Sequence, residues 1–119
     1  MGFRLPPDYA VNEIIELAES SKGEAMISHS GYEKAWHSKR TNPLAKAFSR
    51  AILKEGGKPR PKLKTGTSDM NVVGPTWQCP IIAYGAGDST LDHTPNEHVV
   101  VDEYLTAVRV VQSVLENKI

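Results

Sequence analysis

Residues 79–99 read CPIIAYGAGDSTLDHTPNEHV, and their division into an apolar run and a polar loop sets the fold class. Cys79 to Tyr84 joins isoleucines to an aromatic residue and ends at a glycine-rich turn, the pattern of a buried strand. Gly85 to Asn96 is rich in Gly, Asp, Ser and Pro and reads as a loop. A helix is expected from Asp102 or Glu103, with Leu105, Val108, Val111 and Leu115 sharing a face. Strand, loop and helix in this order give an α/β reading, with the loop at a strand end, where such sheets present ligand-binding groups.

Working back from that stretch, Thr65-Gly66-Thr67-Ser68-Asp69 is a turn leading into a brief helix from about Ser68 to Val73. Lys62 to Lys64, after Pro59 and Pro61, reads as a short strand. A longer helix opens at Asn42-Pro43, an N-cap followed by proline at the first helical position, and closes at Gly56-Gly57. Leu44, Phe48, Ala51 and Ile52 form its apolar stripe. Towards the N-terminus, Gly2 to Leu5 reads as a strand stopped by Pro6-Pro7. Asp8 to Ser20 is an amphipathic helix with Val11, Ile14, Ile15 and Ala18 on its apolar side. After Gly23, Glu24 to Ser30 alternates as a strand with Ala25 and Ile27 on one face. Such a strand, helix, strand unit has open edges and belongs in a larger sheet that supplies partners. The boundary is placed near Thr41, dividing the chain into residues 1–41 and 42–119.

At 119 residues the chain has the length of one domain or of two very small ones. Lys+Arg and Asp+Glu are each 14, the sequence pI is about 6.9, and no run of like charges offers a field for nucleic acid or a membrane surface. The expected partner is a small molecule or another protein. Cys79 is the single cysteine, so no internal disulfide forms. With no signal-like start and no apolar run near the ~20 residues of a bilayer span, a soluble, cytoplasmic protein is expected.

Several residues are candidates for chemistry. His93 lies in the loop after the buried strand and is either a metal ligand or a solvated histidine. Catalytic zinc takes about three protein ligands, and the chain has no HxH pair, HExxH helix or Glu-Glu doublet to join it. The turn at Thr65 to Asp69 puts backbone N–H groups at a helix start, which suits an anion or merely a capped helix. Gly85-Ala86-Gly87 lacks the third glycine of a dinucleotide loop and runs into no helix, so a nucleotide site is discarded. Arg4 is either a carboxylate clamp or a surface charge. His29, His37 and His98 have no partner at ligand spacing, and Cys79 reads as a small hydrophobe in its strand. Trp36, Trp77, Tyr32 and Tyr84 read as packing residues, because no basic stripe interleaves with them.

TGTSDMNVVGP at 65–75, YGAGDS at 84–89 and LDHTPNEHV at 91–99 fall in an order that resembles the C-terminal end of the aminoacylase, acetylornithine deacetylase and succinyl-diaminopimelate desuccinylase family. FRLPPDY at 3–9, with the helix and strand that follow, is similar to the second half of that family's inserted lid. The SDMN and LDHTPNEHV segments look closest to the branch that releases lysine or ornithine from a modified amino group in lysine and arginine biosynthesis. The resemblance implies half of a ferredoxin-like lid over residues 1–41, followed by the C-terminal part of an α/β zinc-hydrolase catalytic domain over 42–119. It implies two zinc or cobalt ions, with a glutamate activating a bridging water for attack on an amide carbonyl. Carried over by position, His93 matches the last metal ligand, Gly66 and Thr67 the substrate-contacting loop, and Arg4 the lid arginine that holds a substrate carboxylate.

The HxD pair, the bridging aspartate, the Glu-Glu doublet and the later acidic ligand of that pattern have no counterpart here, and neither does the first half of the lid. No catalytic residue is therefore assigned, and the chain alone is expected not to hydrolyse amides. It would be completed by an N-terminal catalytic half, on the same or a separate polypeptide, and would form a homodimer through the lid. Its substrate would be a small or carrier-linked amino acid. The competing expectation is a non-enzymatic dimerising module pairing through its open edges. A third is a remnant left partly unfolded without its sheet partners.

Overall fold

The computed structural model describes residues 2–117. They carry four helices, α1 (Val11–Ser21), α2 (Pro43–Lys54), α3 (Asp69–Trp77) and α4 (Val101–Glu116). Two compact units interleave along the chain. The first joins the described residues up to His37 to Leu63–Cys79, and the second joins Ser38–Lys62 to the residues from Pro80 onward.

In the first unit, α1 begins three residues later than Asp8. Pro6-Pro7-Asp8 closes a turn in which the Tyr9 N–H donates to the Pro6 carbonyl at 3.1 Å, so the chain enters the helix only after Ala10. Val11, Ile14, Ile15 and Ala18 are half-buried and the rest of α1 is exposed, which is the stripe its spacing predicts. Glu19 and Lys22 form an ion pair at its C-terminal end. α3 is capped by Ser68, whose N–H donates to the Asn71 side chain at 3.0 Å, the returning arm of a capping box. The helix passes through Pro75 and ends at Gln78, which takes a left-handed φ of 50° and donates its N–H to the Gly74 carbonyl at 3.1 Å. It thus runs four residues beyond the expected stop at Val73. Proline withholds one hydrogen bond from a helix this short but leaves the following turn closed by Gln78. Gly74 is buried because Trp36 lies over it, and a β-carbon there would overlap the indole ring.

In the second unit, Asn42 caps α2 by accepting the Ala45 N–H at 2.8 Å, with Pro43 behind it. The C-terminus closes as a Schellman motif: Gly56 N–H donates to Leu53 O at 3.1 Å and Gly57 N–H to Ile52 O at 2.9 Å, with Gly56 at φ 78°. α2 packs on α4. Ala51, Val110 and Val114 are the buried hydrophobic residues, flanked by Leu44, Ala47, Phe48 and Ile52. The α2 stripe is the expected one.

The expected apolar face of α4, Leu105, Val108, Val111 and Leu115, is the exposed one. Val110 is 1% exposed, whereas Leu105, Val108 and Leu115 are 47%, 46% and 76% exposed. α4 is apolar on two sides, and α2 covers the side that carries Val110 and Val114. Two corrections concern single residues. Cys79 is exposed rather than buried in a strand, and Tyr32 and Trp77, read as packing residues, are largely exposed. No strand ladder forms among the described residues, so residues 2–5, 24–30, 62–64 and 79–84 have no β partners. A ladder needs a second edge, and these segments do not supply one to each other.

Candidate functional site

Two groups of predicted residues lie in separate units. In the first unit, Arg4 and the turn at Thr65 to Ser68 come together although 61 positions separate Arg4 from Thr65. An Arg4 guanidinium nitrogen donates to the Thr65 carbonyl at 3.4 Å. A β-carbon built on Gly66 would stand 3.1 Å from that nitrogen and 3.8 Å from Lys64 Nζ. Gly66 therefore leaves the space in which the guanidinium sits. Thr67 beside it is exposed. The turn is anchored from behind: Asn71, besides capping Ser68, donates from its side-chain amide to the Lys34 carbonyl at 2.9 Å. Arginine, the nearby lysine and the N-terminal turn of α3 all favour negative charge at this place. The arrangement suits a carboxylate.

In the second unit, the loop after Tyr84 is a run of tight turns. Leu91 N–H donates to Asp88 O at 2.9 Å, Thr94 N–H to Leu91 O at 3.0 Å and Glu97 N–H to Thr94 O at 3.1 Å. The run places His93 at φ 62°, a left-handed conformation that histidine tolerates better than most side chains. The Glu97 carboxylate accepts the His93 backbone N–H at 2.8 Å, which holds that conformation and leaves the imidazole exposed. His98 is tied differently, its Nδ1 lying 2.7 Å from the Asn96 carbonyl. At the start of the loop, Asp88 accepts the Thr90 N–H at 3.0 Å. That bond, with the Thr90 hydroxyl and weaker help from Lys62 and His98, holds the Asp88 carboxyl below its ordinary range. Burial against Phe48, whose ring centroid is 4.9 Å away, pushes the Tyr84 hydroxyl up.

Metal fit is tested by the donors themselves. Among the described residues no three of His, Cys, Asp and Glu gather where they could hold an ion. His93 offers one imidazole, and Glu97, the nearest acidic partner it engages, is committed to its backbone. The described residues do not make a zinc or cobalt site. Sequence reasoning overlooked Glu97 and Asn71; the spacing of four from His93 and the place three residues after Ser68 were the signals available for them.

The motifs at 65–75, 84–89 and 91–99 fall in the order of one hydrolase family. The chain belongs to peptidase family M20/M25/M40, which it matches over residues 4–117. Among its relatives, the [LysW]-lysine hydrolase of Deinococcus radiodurans is 47% identical over 118 residues, 97% of this chain and 32% of that protein. A putative [LysW]-lysine/[LysW]-ornithine hydrolase of Thermococcus kodakarensis is 49% identical over 98% of this chain and 30% of its own length. The corresponding protein of Pyrococcus furiosus is 49% identical over 68% of this chain. The chain thus spans about a third of the length of the first two relatives. No helix among the described residues is long and apolar enough to cross a membrane.

Proposed function

We propose that the chain is the C-terminal portion of a metal-dependent amide hydrolase that frees lysine or ornithine from a group carried on its amino nitrogen. The observation that carries this reading is 47% identity to a [LysW]-lysine hydrolase across nearly the whole chain. In this reading residues 1–41 are the second half of a ferredoxin-like lid, residues 42–119 complete an α/β catalytic domain, and the partnerless extended segments take their places in sheets supplied by the rest of the fold. Arg4, with the Gly66-Thr67 turn, holds the carboxylate of the amino-acid substrate, and the exposed guanidinium beside a bare glycine supports that role. His93 contributes one donor to a zinc or cobalt site whose other donors lie outside this chain. The hydrolytic step belongs to those outside residues, and the protein works in the cytoplasm as a homodimer joined through the lid.

The test is complementation. The chain is mixed with a polypeptide carrying the part of the Deinococcus radiodurans relative that precedes the matched region, and hydrolysis of an Nα-acyl-lysine is followed with and without a chelator. Metal-dependent hydrolysis appearing only in the mixture, and lost in His93→Ala, supports the reading. A mixture equally active with His93→Ala removes the metal role of His93, and a chain active on its own removes the incomplete-enzyme reading.

A second reading has its own observation. Residues 22–34 are exposed throughout, with Met26 at 99%, so the region expected to carry a lid strand offers its side chains to another chain. A non-enzymatic module pairing through this edge would be dimeric by light scattering and would stay inactive in the complementation mixture.

A further inference from the structure

α4 has more apolar surface than one partner can cover. Its inner side, Val110 and Val114, is buried on α2. On its outer side Tyr104, Val108, Val111 and Leu115 recur at intervals of four, three and four, and all are exposed. Together with Tyr84 and Ala86 they line an open groove of about 580 Å³. The polar residues at the groove, Gln112 and Glu116, hydrogen-bond to each other at 2.7 Å, which leaves the wall between them apolar. Helices facing water on one side carry charge there; a helix apolar on both sides is an interior helix.

We propose that this outer face of α4 is the docking surface for the polypeptide that precedes the matched region in the M20 relatives. The proposal rests on the reading above, that the chain is the C-terminal portion of a longer fold. The occupant is named by length and by likeness. The chain matches a relative over 97% of itself but only 32% of that relative, so most of the relative's surface-forming chain lies outside. A groove lined by aliphatic and aromatic side chains, with its polar rim internally satisfied, takes an apolar polypeptide face rather than a charged ligand.

The experiment coexpresses the full chain with the preceding part of the Deinococcus radiodurans relative, purifies through a tag on the latter, and measures affinity and hydrolysis of the complex. Val108→Asp/Val111→Asp places two carboxylates on the face, and Leu115→Ser is a milder change at its most exposed member; circular dichroism checks that each retains its helix. Docking by this face predicts a stable one-to-one complex, weakened about a hundredfold by the double substitution and less by Leu115→Ser. An unweakened complex overturns the proposal, as does the absence of any complex with the unaltered chain. A chain that is instead dimeric alone, and becomes monomeric with Val108→Asp/Val111→Asp, overturns it in favour of a second copy as occupant. The two claims separate cleanly: a complex that forms through α4 but hydrolyses nothing upholds the docking surface and removes the enzymatic reading, whereas hydrolysis indifferent to both variants does the reverse.

Discussion

Asp88 and Gly56 show how single residues fix the loop and the helix end. The Thr90 N–H bonds the ionised form of Asp88 and lowers its pKa, so the contribution to the folded loop is present above the unfolded pKa and is lost as pH falls through the lower folded value. A carboxyl carbon NMR titration is expected to give Asp88 a lower midpoint in the folded chain than in urea; equal midpoints would show that the turn does not hold the carboxylate. At Gly56 a left-handed φ of 78° is required for the Schellman closure of α2. Gly56→Ala should cost about 1 kcal/mol in urea unfolding followed through the helix signal. No loss of stability would mean that α2 frays at this end. Both positions were readable as punctuation in the sequence. The approach of Arg4 to Gly66 was not, because no local pattern links residues 62 places apart; resemblance gave each a role but not their contact. His93 was nameable only in the same way, since one histidine in a polar loop has no local mark of a ligand.

The helices were more legible than the surfaces they bury. α2 is announced by Asn42-Pro43 at one end, Gly56-Gly57 at the other and one narrow apolar stripe between, so boundaries and buried face follow together. α4 is apolar on two sides, and periodicity alone has no means to say which side meets a partner. Val110→Ala is therefore expected to destabilise the α2 and α4 pair by ~2 kcal/mol, since a fully buried side chain leaves a cavity. Arg109→Ala removes the 2.8 Å bond to Glu55, but that ion pair is solvent-exposed and should cost under about 1 kcal/mol. If the order of these two losses is reversed in thermal melts, electrostatics rather than packing joins the helices. The strand segments were read from residue type alone, and strand-forming residues register as strands only where a neighbouring edge accepts their hydrogen bonds.

For the molecule as a whole, charge is balanced and few side chains are buried. Ala51, Val110 and Val114 are the buried hydrophobic residues among those described, while Phe3, Met26, Leu63 and Trp77 are exposed. Burial this sparse offsets little of the ordering entropy of two small units. Zinc titrated into the chain alone should bind weakly, and His93→Ala should change that binding little, because one imidazole holds no structural or catalytic ion. Tight one-to-one binding abolished by the substitution would reveal a donor set that the described residues do not form. Both tryptophans of the chain, Trp36 over Gly74 and Trp77 at the end of α3, belong to the first unit. Indole emission is consequently silent on the second unit, whose α2 and α4 dominate the ellipticity at 222 nm or so. A soluble quencher would meet the open ring of Trp77 before the half-covered ring of Trp36, so the two colours of one fluorescence spectrum distinguish the fraying of α3 from the release of the indole over its glycine.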